Sequence, residues 1–175
     1  MVSMQRRVFV LGLVGVGLAA CGTPPDVLPK GSPEQQAEAV HTTLQRVVEG
    51  LAAGQARALI DQGLVFLPLR WRRQQKEYQE LEELGKQLAG RKTLVLGDVH
   101  VDGRWALIEH VLADGERVGP ADAPWFLLYF SGQWRWLPAS IMKDQAITGM
   151  MDSHFDRLWA GWQAAHPKAS RPGGG

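Results

Sequence analysis

The chain has 175 residues, of which 45% are hydrophobic and 21% are charged, and its formal net charge is +1. This length is typical of one globular domain with any processing segments, and the near-neutral charge gives no reason to expect nucleic-acid binding through an overall positive field. Cys21 is the only cysteine, which excludes a disulfide within the monomer, so packing must stabilise the fold.

The first 21 residues have the composition of an export signal. Arg6 and Arg7 precede an uncharged apolar run over Val8–Ala20. A helix that spans a bilayer needs about 20 apolar residues, and this run is shorter. A basic start, a short apolar segment and small residues at its end are typical of a signal peptide that is removed during export.

The signal ends in Leu18-Ala19-Ala20-Cys21, which resembles the lipobox of bacterial lipoproteins. The resemblance implies that residues 1–20 are cleaved off and that Cys21, acylated at its thiol and its new amino group, is the lipid-attachment residue. Each buried methylene contributes about 0.8 kcal/mol, so two or three acyl chains would hold the protein stably on a lipid bilayer, its first expected partner. The alternative is a chance cysteine after an ordinary signal or a membrane anchor.

Residues beside the lipobox bear on export and location. The segment Gln5–Val10 is similar to a twin-arginine motif but lacks the usual Ser or Thr, which leaves Sec and twin-arginine export both open. Gly22 stands where many inner-membrane lipoproteins have Asp. In a double-membraned bacterium this resemblance implies the outer membrane, facing the periplasm. Cleavage would remove two of the 19 basic residues and none of the 18 acidic ones, which changes the net charge to −1.

A tether and helices follow. Pro and Gly in residues 22–31 predict an extended tether, roughly 30 Å long at about 3.1 Å per residue. Ser32 as a cap, Pro33 at the first helical position and Gln35 in a capping box predict the start of a helix and of a single domain over residues 32–165. A short helix ending at Gly63 and a long one over 68–89 are expected next. The basic cluster 70–76, RWRRQQK, either contacts anionic groups or is a solvated helix start.

The pattern then changes to that of strands. Asp102-Gly103 and Ser131-Gly132 are signals for tight hairpin turns, each between two alternating segments. Residues 113–123 predict a loop between the hairpins. A last helix is predicted over residues 148–165, and residues 166–175 are expected to form a disordered tail.

Helices followed by a four-stranded antiparallel meander predict the α+β class. The element order over residues 32–141 and the closing YFSGQWRWLP of residues 129–138 resemble the nuclear-transport-factor-2-like superfamily. That resemblance implies N-terminal helices packed on a curved sheet to form a cone. The C-terminal helix departs from the simplest version of that fold.

Two sets of strand residues are candidates for a ligand pocket. Strand alternation places the first set on one face of the first hairpin, with His100 expected opposite Trp105. The second set is aromatic and lies on one face of the second hairpin. The candidates are Asp98, His100, Trp105, Glu109, Tyr129, Trp134 and Trp136.

These residues support three hypotheses. The preferred one is a non-catalytic envelope lipoprotein that binds a small apolar ligand or a protein partner, either a second copy or another envelope protein. The second is an acid–base enzyme of the cone fold, using Asp98, His100 or Glu109, because some members of that superfamily are isomerases, dehydratases or hydrolases. The third is a structural interaction module that docks through the C-terminal helix. No metal-ligand spacing or nucleophile motif occurs, so no metal, cofactor or catalytic residue is assigned.

Overall fold

A computed structural model describes residues 28–68, 78–120 and 123–172. The signal peptide, Cys21 and the basic cluster 70–76 therefore lie outside the described residues. Within these ranges the chain forms five α-helices and seven strands arranged in two antiparallel sheets, which confirms the α+β class. No helix in the described part of the chain is both long and apolar enough to cross a bilayer.

In the described part of the chain, three α-helices precede the seven strands and two α-helices follow them. The helices are α1 Pro33–Ala52, α2 Ala56–Asp61, α3 Tyr78–Leu88, α4 Gln145–Thr148 and α5 Ser153–Ala165, with a 3-10 helix at Ala139–Lys143. The strands are β1 Leu94–Leu96, β2 Val99–Asp102, β3 Trp105–Ile108, β4 Val111–Ala113, β5 Glu116–Val118, β6 Trp125–Phe130 and β7 Gln133–Leu137.

Helix α1 begins where the sequence predicts. The Ser32 hydroxyl accepts a hydrogen bond from Gln35 N at 3.3 Å, and the Gln35 side-chain oxygen accepts one from Ser32 N at 2.9 Å. This capping box satisfies two backbone N–H groups that have no partner inside the helix, and Pro33 occupies the first turn without losing a donor. One side of α1 is fully buried and consists of Val40, Leu44, Val47, Val48 and Leu51.

The first predicted hairpin is interrupted in both strands. β2 pairs with β3 in a sheet of order β2-β3-β6-β7, whereas β1 pairs with β4 in a second sheet of order β1-β4-β5. Backbone hydrogen bonds continue across the interruption, from Gly97 N to His110 O and from Glu109 N to Asp98 O. The His110 ring crosses the chain at Gly97, where an added Cβ would lie 2.8 Å from it, so a side chain is sterically excluded at this position.

The turn of that hairpin lies one residue later than the sequence predicts. Asp102 pairs with Trp105, and the central residues of the turn are Gly103 and Arg104. Gly103 has a φ of +57° at the first central position, where two-residue turns of this kind favour glycine. His100 is therefore opposite Leu107 and not Trp105, but the shift keeps every side chain on its predicted face.

The other turns show one confirmed prediction and one difference. Ser131 and Gly132 connect β6 and β7, both with positive φ, as predicted. The predicted loop over 113–123 instead begins with a third hairpin, in which Asp114 and Gly115 connect β4 to β5. Asp-Gly is itself a strong turn signal, but the three-residue strand β5 is too short to show a clear alternation.

Both faces of the four-stranded sheet are covered. Helix α5 packs on one face, where Phe155 contacts the rings of Trp105 and Phe126. Helix α1 packs against the edge strands β2 and β7, and residues 64–66 add backbone hydrogen bonds to Trp136. Every residue of β3 is consequently buried.

The C-terminal region differs from the prediction at both ends. The helix starts at Ser153 because the Asp152 side chain accepts hydrogen bonds from His154 N and Phe155 N, and residues 145–148 form the separate helix α4. The expected disordered tail packs on α5 through residue 172: Ala169 is buried, and the Arg171 guanidinium lies 5.7 Å from the centre of the Phe155 ring.

The contact between α5 and the sheet gives a stability prediction. We expect Phe155→Ala to lower the free energy of unfolding by about 3–5 kcal/mol, because this fully buried ring would leave a cavity between the helix and the sheet. Urea unfolding measures the loss. Gln163→Ala, at an exposed position of the same helix, is the control and should change stability by less than about 0.5 kcal/mol. Equal losses for the two variants would contradict the packing described.

Candidate functional site

Two cavities combine the residue types needed for ligand binding. The first, called the aromatic cavity, has a volume of about 250 Å³ and lies at the end of the sheet where β6 begins and β7 ends. The second, called the α5 cavity, has a volume of about 500 Å³ and lies between α5 and strands β2 and β3.

The aromatic cavity is built mainly from apolar side chains. Strands β6 and β7 contribute two residues each, the 3-10 helix contributes two apolar residues, and the loop before β6 contributes prolines. These apolar lining residues are Pro120, Ala123, Pro124, Trp125, Phe126, Trp136, Leu137, Ala139, Met142 and Pro172. Concave, mostly apolar sites with a few polar groups are the usual form of small-molecule sites.

Two tryptophans form part of this wall. The rings of Trp125 and Trp136 are 5.2 Å apart, and both side chains are almost fully buried. The Trp125 indole N–H is also buried and has no acceptor among the described residues. Gly119, with a φ of +89°, lies against this indole, and a Cβ there would be 2.8 Å from it. The N–H edge of the Trp125 indole is thus held by close packing against Gly119.

Among the described residues, three charged side chains border the aromatic cavity, and two of them have partners. The carboxylate of Glu80 accepts hydrogen bonds from Ala139 N at 2.7 Å and from Ser140 N at 2.9 Å. The guanidinium of Arg171 pairs with Asp156. Lys143 is exposed and forms no ion pair with any described residue.

The α5 cavity is more polar. His100 and Glu109 contact each other in its wall, with His100 Nε2 3.0 Å from Glu109 Oε1. Leu107 and Trp162 supply apolar surface beside them. An imidazole hydrogen-bonded to a carboxylate is a common arrangement for proton transfer, so this pair has the residue types that acid–base chemistry needs.

A second polar cluster connects the β2–β3 turn to the start of α5. Asp102 accepts two hydrogen bonds from Arg157, at 2.6 and 2.9 Å, and contacts His154 Nδ1 at 2.5 Å. The Arg157 hydrogen bonds are the main reason that the pKa of the Asp102 carboxyl lies below its ordinary value, with a smaller contribution from His154 and an opposing effect of burial. The same contact raises the pKa of Arg157.

The structure distributes the predicted pocket residues over several places. His100 and Glu109 lie in the α5 cavity, and Trp136 lies in the aromatic cavity. Trp105 is fully buried against Phe155 and lines neither cavity.

The remaining candidates lie elsewhere. Asp98 is exposed at the bend between β1 and β2. Tyr129 and Trp134 pack on each other, with ring centres 5.4 Å apart, at the far end of the second hairpin. The seven predicted residues therefore do not form a single pocket.

Several residues of the aromatic cavity and of the Asp102 cluster were not predicted from the sequence. Met142 and Lys143 lie in a 3-10 helix that has no amphipathic repeat to indicate it. His154 and Arg157 are three residues apart on α5, a spacing that places them on one helix face, and this was the available signal for the Asp102 cluster.

The Asp102 cluster predicts a dependence of stability on pH. The pKa of Asp102 is lower in the folded state than in the unfolded state. Its contribution to the free energy of unfolding is therefore fully present above the unfolded-state pKa of about 3.9 and is lost as the pH falls through the folded-state pKa. Asp102→Asn should therefore destabilise the protein at pH 7, and the difference from the natural chain should shrink below about pH 4. Urea midpoints across this range test it.

A matched control lies four residues earlier in the chain. The carboxylate of Asp98 forms no ion pair with a described residue, so Asp98→Asn should change the urea midpoint at pH 7 by far less than Asp102→Asn does. A difference between Asp102→Asn and the natural chain that stays constant as the pH falls well below about 4 would contradict the role given to the ion pair.

The chain matches no known protein-family model, no curated protein and no solved structure. Evidence about the function therefore comes from the two cavities and the polar clusters.

Proposed function

We propose that this protein is a lipid-anchored protein of the cell envelope whose domain binds a small apolar ligand in the aromatic cavity, without catalysis. The observation that carries the proposal is the cavity itself, a concave apolar site of about 250 Å³ with two tryptophans in its wall.

The location rests on the N-terminal sequence. Cys21, preceded by Leu18-Ala19-Ala20, would be the acylated first residue after residues 1–20 are removed. The tether would connect the lipid to Pro33, where α1 begins. An envelope location, at the outer membrane of a double-membraned bacterium, would expose the cavity to apolar compounds in the periplasm. The expected partners of the protein are then the lipid bilayer and the small apolar ligand.

The proposal includes the cone-like fold of the nuclear-transport-factor-2-like superfamily. It is supported by the order of helices before strands and by the bend at Gly97, where one long hairpin passes from one sheet to the other. In such a fold the helices pack into the concave side of the sheet. Helix α1, which contacts both edge strands of the four-stranded sheet, is suited to that position.

A second candidate function is acid–base catalysis in the α5 cavity. The specific observation in its favour is the 3.0 Å contact between His100 and Glu109 beside about 500 Å³ of open space. Asp98 is exposed between β1 and β2 and makes no side-chain contact with this pair among the described residues. If Glu109→Gln abolishes an enzymatic activity while ligand binding to the aromatic cavity is retained, the result would support acid–base catalysis over the proposed non-catalytic function.

The hypothesis of an interaction module through α5 receives less support. Phe155, Trp159 and Trp162 are buried by the fold itself, and Leu158 is half-buried. The apolar side of the helix is therefore already used within the protein. A second copy or an envelope protein would have to bind through a different surface.

Filling the aromatic cavity tests the proposed function. Ala139 lines the cavity but is exposed, so Ala139→Phe should obstruct the cavity without removing a core contact. Excluding about two methylene groups of a ligand costs about 1.6 kcal/mol, so the affinity for 1-octanol should fall by roughly tenfold or more. The measurement is tryptophan fluorescence of the full chain carrying Cys21→Ser, so that no attached acyl chain competes.

Ser140→Phe is the control for this experiment. Ser140 is the next residue, is equally exposed and does not line the cavity, so octanol affinity should be unchanged. Absence of octanol binding to the parent chain would refute the proposed function.

Lipid attachment has a separate test. Expression of the full-length gene should yield a mature protein whose mass includes acyl chains, and Cys21→Ser should abolish that added mass and prevent normal processing, because serine lacks the thiol that accepts the lipid. Intact-protein mass spectrometry measures both effects. Acyl mass retained on the Cys21→Ser protein would exclude this residue as the attachment site.

A further inference from the structure

We propose that the ligand of the aromatic cavity is an amphipathic anion, with its apolar body inside the cavity and a carboxylate head at Lys143. This inference rests on the proposed function, because it specifies the chemical class bound at the same site. It follows from how the charges around the cavity are already paired.

The two other charged residues described at the cavity already have partners within the protein. Glu80 would repel an anion, but both of its oxygens accept backbone hydrogen bonds from the start of the 3-10 helix, at Ala139 and Ser140. Hydrogen bonds to a carboxylate stabilise its charge within the protein. Arg171 would attract an anion, but its guanidinium already pairs with Asp156 and lies over the Phe155 ring.

Lys143 is the third charged residue described at the aromatic cavity. It is the last residue of the 3-10 helix, it is exposed, and it lines the cavity. No described carboxylate forms an ion pair with it. The neighbouring Asp144 is buried and accepts a hydrogen bond from Ala146 N at the start of α4. Among the described residues that line the cavity, the charged group without an ion pair or hydrogen bond is therefore positive, which favours an anionic head group over a neutral or cationic one at this position.

The size of the cavity limits the apolar body. A volume of about 250 Å³ corresponds to roughly eight groups of the size of a water molecule, at about 30 Å³ each. Octanoate, 1-octanol and octylamine have chains of this size and differ in the charge of the head. They are therefore suitable probes for the preference at Lys143.

The experiment compares the three probes on the full chain carrying Cys21→Ser, by tryptophan fluorescence at neutral pH. Octanoate should bind about fivefold more tightly than 1-octanol, the range expected for one exposed ion pair, and octylamine more weakly than both. Because Lys143 is exposed, added salt should reduce the preference for octanoate.

Substitutions assign that preference to one residue. Lys143→Met should remove the preference for octanoate over 1-octanol, and Lys143→Arg should retain that preference. Lys168→Met, at an exposed residue that does not line the cavity, is the control and should leave all three affinities unchanged.

Two outcomes would overturn different parts of the argument. If 1-octanol and octanoate bind equally well, or if Lys143→Met keeps the preference for octanoate, the proposed anionic head group is wrong. Binding of an apolar ligand in the aromatic cavity would still be supported. If neither probe binds, the proposed function fails, and the head-group preference fails with it.

Discussion

The structure depends on a four-stranded sheet that is apolar on both faces. In β3 all four residues are buried, so neither face of this central strand can be left to solvent. Burying apolar surface on both sides requires a helix on each, and α1 and α5 supply them from opposite ends of the chain. The domain is complete only when its first and last long helices have both reached the sheet.

Local signals predicted the parts of the fold that depend on neighbouring residues. The capping box at Ser32 and Gln35 and the turn at Ser131-Gly132 are both present, since each is determined within four residues of sequence. The interruption at Gly97 could not be predicted, because Gly97 lies against the ring of His110, thirteen residues away in the chain, and this contact is tertiary. The tail likewise packs on α5 only through tertiary contacts.

The candidate site was predictable to a smaller extent. Strand alternation correctly placed His100 and Glu109 on one face, and they are in contact. The aromatic cavity, in contrast, combines α3, the loop before β6, the 3-10 helix and the tail, which are far apart in sequence. Of its lining residues, the prediction included Trp136 alone, because periodicity reports which face a residue is on but not where two separate segments leave a space between them.

The contribution of residues 170–172 to the aromatic cavity has a consequence for chain length. Both sheets and all five described helices are formed by residue 165, so a chain truncated there keeps every described helix and strand. It loses, however, the buried Ala169, the contact of Arg171 with Phe155 and one wall of the cavity. The residues that close the candidate cavity therefore lie beyond the span that forms the helices and strands, and they add to the packing of the domain as well as to the cavity.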